Sequence, residues 1–98
     1  MPLTNIVDKE SRVVFIPFDE NFDRNNSFTF KEMYGMFQGY TFILDLTKTL
    51  IIDHSALLAL SYLAEHTGPR IINIITGASG DVLTFLETNE VDKYFEIQ

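Results

Sequence analysis

The chain contains no cysteine, which excludes disulfide bonds, thiolate metal sites and cysteine nucleophiles. Only two histidines are present, His54 and His66, and this argues against a histidine-rich metal site. Basic residues are also few, because 7 Lys and Arg accompany 14 Asp and Glu and the net charge is −7. Such a charge repels phosphate backbones and anionic lipid, so nucleic-acid and membrane-surface binding are disfavoured. A protein partner with basic patches fits this charge better.

Long apolar runs are missing as well. No segment approaches the roughly 20 apolar residues that cross a bilayer, and residues 1–5 lack the basic and apolar regions of a signal peptide. We therefore expect a cytoplasmic protein without membrane insertion. With 98 residues, of which 46% are hydrophobic and 21% charged, the composition predicts a single globular domain over residues 1–98.

Strand-like and helix-like segments alternate along this domain. Strands are predicted over 3–8, 12–18, 40–46 and 70–76, with the first two joined as an antiparallel hairpin. Helices are predicted over 28–37 (capped by Ser27), 56–68 and 81–89, and residues 91–97 are expected to pack back onto the sheet. The alternation predicts an α/β fold with a mixed, mostly parallel sheet of about four strands flanked by helices.

The apolar residues within these segments predict which surfaces are buried. The runs at 40–46 and 70–76 are nearly continuous, as in strands buried on both faces of a parallel sheet. In helix 56–68, Leu58 and Tyr62 are expected to widen the buried stripe. The aromatic residues of the preceding helix are expected mainly in the core, with part of the stripe exposed as a docking surface: Phe28, Phe30, Tyr34 and Phe37.

A polar island, Asp53-His54-Ser55, stands between strand-like and helix-like sequence. A helix N-terminus stabilises added negative charge through its free N–H groups and its dipole, so a phosphorylated Ser55 would be tolerated there. The alternative is that Asp53 or Ser55 only caps the helix and His54 is a solvated loop residue. Three adjacent residues cannot form a catalytic relay, and no G-x-S-x-G elbow is present. We therefore expect no catalytic residues.

Other polar segments have structural explanations. The loop TGASGD (76–81) follows a strand and opens a helix, but it lacks the lysine and the spacing of a phosphate-binding loop. The carboxylates Asp19, Glu20 and Asp23 do not have the spacing of a calcium loop. His66 is a favourable partner for the dipole at the end of its helix. No metal and no cofactor are expected.

Taken in order, several segments resemble the STAS domain of anti-sigma factor antagonists. FILDLTKTLIIDHSALLAL is similar to the strand of that family, its connector, its D-S-S-G-L motif and the helix that follows. IINIITGASGDVLTFLETNEVDKYFEI is similar to the next strand, loop and helix, and VFIPFDENFD to the upstream strand and G-E-L-D segment. The resemblance covers residues 12–97.

The resemblance implies a protein-binding switch rather than an enzyme. Many members of the family bind a serine kinase that doubles as an anti-sigma factor; phosphorylation before the long helix switches them off, and a phosphatase resets them. Carried over by position, the partner-binding residues are Asp23, Asp53, His54, Ser55, Ala56 and Leu57. His54 stands at the position of the usual phosphoacceptor serine.

Three interpretations of that departure stay open. Ser55 is the phosphoacceptor, displaced by one residue; or the switch is absent and the module binds constitutively; or, least favoured, His54 itself is phosphorylated. The resemblance also implies an alternative function, since stand-alone domains of this kind occur as small subunits that bind the ATPase of ABC-type lipid transporters.

Overall fold

A computed structural model describes residues 3–98, and the first two residues of the predicted domain lie outside this range. The strands are β1 (Ile6–Asp8), β2 (Val13–Pro17), β3 (Asn21–Phe22), β4 (Thr41–Asp45), β5 (Ile51–Ile52), β6 (Asn73–Thr76) and β7 (Phe95–Ile97). The helices are α1 (Arg24–Tyr34), α2 (His54–Thr67) and α3 (Gly80–Thr88), and a 3₁₀ turn covers Val91–Lys93.

The main sheet has five strands in the order β1-β2-β4-β6-β7. Only β1 is antiparallel to its neighbour, so the predicted mixed, mostly parallel sheet and the N-terminal hairpin are confirmed. The predicted number of strands was too low. Residues 95–97 do not pack onto the sheet as an appendage but extend it as a fifth strand beside β6. Strands β3 and β5 form a separate two-stranded ladder and are too short to leave a sequence pattern.

The order of the strands explains which face of the sheet is covered. The crossovers connect β2 to β4, β4 to β6 and β6 to β7, and all of them move in the same direction across the sheet. Right-handed crossovers in one direction place all their helices on the same face. The residues of β2, β4 and β6 that point to this face are fully buried: Val14, Ile16, Phe42, Leu44 and Ile75.

The prediction that 40–46 and 70–76 are buried on both faces was therefore wrong. Alternate residues of β4 and β6 are only half-buried, because no crossover returns a helix to the second face. The apolar run alone could not reveal the direction of the crossovers.

Helix α1 begins earlier than predicted. Its N-cap is Asp23, whose side chain accepts a hydrogen bond from the backbone N–H of Asn26 at 3.1 Å. Ser27, the predicted cap, is instead a buried residue inside the helix. Placing residues 24–27 in the helix brings Phe30 against Phe18 and Phe22, with ring centroids 5.7 and 6.2 Å away. This aromatic packing anchors α1 to the β3–β5 ladder.

Helix α2 is fixed at its far end by a buried amide. The Asn73 side chain accepts a hydrogen bond from the backbone N–H of Phe42 at 2.8 Å and donates one to the Thr67 hydroxyl at 3.0 Å. Gly68 then ends the helix as predicted, with φ of 78°, a backbone conformation that glycine adopts without strain. Helix α2 therefore packs on the sheet and has a defined cap at each end.

Candidate functional site

The site is built from two helix N-termini that lie side by side. Strands β3 and β5 pair in parallel, with Phe22 opposite Ile52, and the backbone N–H of Asp53 donates to the Phe22 carbonyl at 3.4 Å. Asp23 and Asp53 are the next residues after this pair, and each is the N-cap of the helix that follows. The short ladder thus brings the starts of α1 and α2 together.

Both caps use the same chemistry. The Asp53 carboxylate accepts a hydrogen bond from the Ser55 backbone N–H at 2.9 Å, as Asp23 accepts from Asn26. An aspartate at this position satisfies a free helical N–H and interacts favourably with the helix dipole. Of the two predicted caps for α2, Asp53 is therefore the one observed. The helix begins two residues earlier than predicted, and His54 is its first residue rather than part of a loop.

Ser55 lies in the first turn of α2 and is half-buried. Its backbone N–H is held by Asp53, and within residues 3–98 its hydroxyl makes no side-chain hydrogen bond. The hydroxyl is therefore not used as a helix cap. A phosphate on Ser55 would be stabilised by the helix dipole. It would also lie near the negative charge of the Asp53 carboxylate, which already accepts a hydrogen bond from the Ser55 N–H.

The other predicted partner-binding residues differ in exposure. His54 is exposed, and its ring centroid lies 5.9 Å from that of Phe85 on α3. Asp23, Asp53 and Leu57 are half-buried. Ala56 is fully buried, so its side chain packs into the core and does not reach the surface. A methyl group fits at this position, where the related motif has glycine.

An exposed apolar surface adjoins these residues. Leu58 is 60% exposed and Tyr62 42% exposed, so the prediction that they widen the buried stripe was wrong. On α1, Phe28 is 66% exposed, whereas Phe30 and Tyr34 are buried. Phe37 is half-buried and lies beyond the end of α1 at Tyr34, so the predicted helix 28–37 extended too far. This distribution agrees with an aromatic stripe that is partly exposed. The buried stripe of α2 is narrower than predicted because α1 covers only one side of that helix.

The exposed residues of the two helices lie beside one another. The Lys31 ammonium is 4.5 Å from the centroid of the Tyr62 ring, which brings these positions of α1 and α2 together. Both helices run in the same direction, because both connect parallel strands. Phe28 is one turn before Lys31 and Leu58 is one turn before Tyr62, so these two side chains lie at the same level. We define the α1–α2 surface by Phe28, Tyr62 and Leu58 together with the adjoining residues His54 and Ser55.

A shallow depression lies farther along the same two helices. About 460 Å³ in volume, it is lined by Lys31, Tyr34, Tyr62, Glu65 and His66. Burial raises the pKa of the Tyr34 hydroxyl above its usual value, with smaller contributions from Glu65 and Tyr62. His66 lies in the last turn of α2, and its ring centroid is 5.1 Å from that of Tyr34.

The acidic loop before α1 borders a depression. A depression of about 480 Å³ is lined by six polar residues, namely Asp19, Glu20, Asn21, Asp23, Asn25 and Asn26. Within the described range, no group of three or more His, Asp or Glu side chains is arranged to hold a metal ion.

No helix among residues 3–98 is long and apolar enough to cross a membrane.

The glycine-bearing loop before α3 has a packing role. A Cβ atom on Gly77 would come within 2.1 Å of the Thr47 hydroxyl oxygen and 2.9 Å of the Thr47 backbone nitrogen. Gly77 also has φ of 79°, so glycine is needed there for both space and conformation. This close approach explains the glycine at position 77.

No protein-family model matches the chain, and no curated protein matches it. Solved structures do match over nearly its full length. An anti-sigma-factor antagonist (STAS) domain protein from Planctomyces limnophilus is similar with a TM-score of 0.80 and 12% identity, over 98% of this chain and 87% of that one. An anti-sigma factor antagonist from Mycobacterium paratuberculosis gives 0.79 and 14%, over 97% and 84%. The unphosphorylated anti-sigma factor antagonist SpoIIAA gives 0.70 and 12%, over 98% and 86%.

Proposed function

Because this chain has the STAS fold, we propose that it is a non-enzymatic regulatory module that binds a protein partner through the α1–α2 surface. The observation that carries the proposal is the exposure of Phe28 and Leu58 at one level of two adjacent helices, next to His54 and Ser55. Exposed apolar side chains that adjoin one another mark contact surfaces in soluble proteins.

The proposed partner is a serine-kinase-type anti-sigma factor. Three of the similar structures are described as anti-sigma factor antagonists or as a domain of that class, and the acidic charge of −7 suits a partner with basic patches. Aromatic and aliphatic side chains such as Phe28 and Leu58 would supply the buried centre of the interface, and His54 its polar edge.

The state of Ser55 decides whether this module is switched. We propose that the unmodified chain is the binding form and that a phosphate on Ser55 prevents binding. The phosphate would add about two negative charges beside the Asp53 carboxylate and next to the apolar contact residue Leu58. Like charges and desolvation would both oppose the interface.

Binding to purified partners tests this proposal. Each serine-kinase-type anti-sigma factor of the source genome would be titrated with wild-type chain and with two variants, Ser55→Ala and Ser55→Asp. We expect one kinase to bind wild type and Ser55→Ala with similar affinity, and Ser55→Asp at least about tenfold more weakly. Equal binding of all three would contradict the role of Ser55 while keeping the surface.

The same preparation tests the switch directly. After incubation of wild type with the binding kinase and ATP, intact mass should show one added phosphate, and Ser55→Ala should stay unmodified. A chain that binds but stays unmodified would mean a constitutive module. If His54→Ala stays unmodified while Ser55→Ala still gains the phosphate, His54 is the phosphorylated residue.

The ATPase subunit of the ABC-type lipid transporter of the source genome is the control partner. If that subunit binds and no kinase does, the chain is an accessory of a transporter, and the anti-sigma proposal is wrong. Neither result depends on a catalytic activity of this chain.

A further inference from the structure

A second apolar surface lies on the opposite side of the sheet. The strand registers align Ile6 of β1 with Phe15 of β2, Phe15 with Ile43 of β4, and Ile43 with Ile74 of β6. Residues opposite one another in adjacent strands point to the same face. These four residues therefore form one apolar row, about 14 Å long at the usual strand spacing. We call this side the open sheet face.

No helix among residues 3–98 covers this row. All three helices connect strands on the other face, and the row residues are half-buried or exposed, with Ile6 65% exposed. Ile72 is 64% exposed and lies two residues before Ile74, and it lines a depression of about 270 Å³ together with Glu96. A sheet face with this many exposed or half-exposed apolar side chains normally packs against another layer.

The strands that form the row contribute charges of one sign, although Lys48, outside the strands, lines a depression together with Asp45. Asp8, Asp45 and Glu96 occupy positions on the same face, because Asp8 aligns with Val13, Asp45 with Thr76 and Glu96 with Ile74. The five strands of this sheet contain no Lys or Arg. Lys93, at the border near Ile72, pairs with Glu90 at 3.0 Å. The face is therefore an apolar strip whose own strands supply three carboxylates and no cation.

This charge distribution selects among the layers that could cover the strip. A second copy of the chain would bring the carboxylates of two such faces together and would join two chains that each carry a charge of −7. An anionic membrane surface would be repelled for the same reason. A helix with an apolar face and basic residues on its flanks would instead pair its cations with these carboxylates.

We propose that the open sheet face binds a basic amphipathic helix of a partner protein, laid across the row from Ile6 to Ile74. The module then has binding surfaces on two opposite sides, and this second surface does not depend on the identity of the partner at the α1–α2 surface. One partner's helix would bind across the strands while the other docks on α1 and α2.

A designed peptide tests the chemistry of this face. The probe is a helical peptide of about 14 residues, or about 20 Å, with leucines on one face and lysines on its flanks. Isotope-labelled chain would be titrated with it and followed by NMR. We expect the amide signals of Phe15, Ile43 and Ile74 to shift, those of α1 and α2 to stay, and calorimetry to give a negative heat-capacity change. A matched peptide with glutamate in place of lysine should not bind.

Paired variants separate this face from general attraction to an acidic protein. Ile72→Lys should weaken binding of the lysine peptide at least about tenfold, since it places a cation in the apolar strip. Leu58→Lys is the matched control, because Leu58 is 60% exposed on the other side and receives the same charge change. Both sites are exposed, so both variants should fold, as circular dichroism would verify.

Three outcomes would overturn the proposal. One is the absence of binding by the lysine peptide. Another is equal weakening by Ile72→Lys and Leu58→Lys, which would mean attraction to net charge alone. The third is a dimer of wild type in sedimentation that Ile72→Lys converts to a monomer, because the occupant of the face would then be a second copy of the chain.

Discussion

The two faces of the sheet differ although the same strands supply both. On the covered face Ile75 is fully buried, whereas its neighbour Ile74 on the open face is only half-buried. The sequence Ile74-Ile75 gives no indication of that difference. It arises from topology, because successive right-handed crossovers in one direction put every helix on one side. The covered face therefore carries the core, and the open face contributes less to it.

The largest effect should come from comparing these neighbours directly. Ile75→Ala should lower the free energy of unfolding by about 2–5 kcal/mol, since it removes buried methyl groups and leaves a cavity. Ile74→Ala should cost less than half as much, because its side chain already contacts water in the folded state. Urea denaturation of the two variants measures both values. Equal losses would mean that the second face is covered after all.

A smaller effect is expected at the helix starts. Asp53→Ala should lower the free energy of unfolding by about 1 kcal/mol, because the Ser55 N–H loses its acceptor. Asp53→Asn should retain most of that stability, since an asparagine side chain also caps. Denaturation of both variants, with Asp23→Ala as the parallel case on α1, checks this. An unchanged Asp53→Ala would show that the cap contributes nothing to stability.

The smallest effect concerns a carboxylate of the open face. The Ser11 side chain, with smaller contributions from the backbone N–H groups of Ser11 and Glu10, holds the pKa of the Asp8 carboxyl below its usual value. A lowered pKa adds stability above the unfolded pKa, and this stability is lost as the pH falls through the folded pKa. Ser11→Ala should raise the Asp8 pKa in an NMR titration; an unchanged value would contradict the assigned cause.

The elements that could be predicted are those with unambiguous local chemistry. Helix α2 has Asp53 before it, Gly68 after it and leucines at helical spacing between, and its position was found to within two residues at its start and one at its end. The predicted start of helix α1, at residue 28, lies four residues after the observed start, because the segment Arg24-Asn25-Asn26 is polar and resembles a loop. The Asp23 N-cap, whose carboxylate accepts from the Asn26 backbone N–H, sets the observed start.

The candidate site was predicted in part for the same reason. The Asp53-His54-Ser55 segment has the residues of a helix N-terminus, so the location of this helix start could be predicted from the sequence. The exposure of Leu58 and Tyr62 was not, because it depends on where α1 lies relative to α2. The pairing of the Asp23 and Asp53 caps was also inaccessible, since it rests on the short β3–β5 ladder.

The most direct test of the account compares one substitution on each side of the molecule. Leu58→Asp and Ile72→Asp change residues of similar exposure, 60% and 64%, and each adds one negative charge. Affinity for the purified serine-kinase partner is measured for both. The account predicts that Leu58→Asp weakens binding at least about tenfold while Ile72→Asp leaves it within about twofold. Loss of binding in Ile72→Asp with retention in Leu58→Asp would contradict the assignment of the α1–α2 surface.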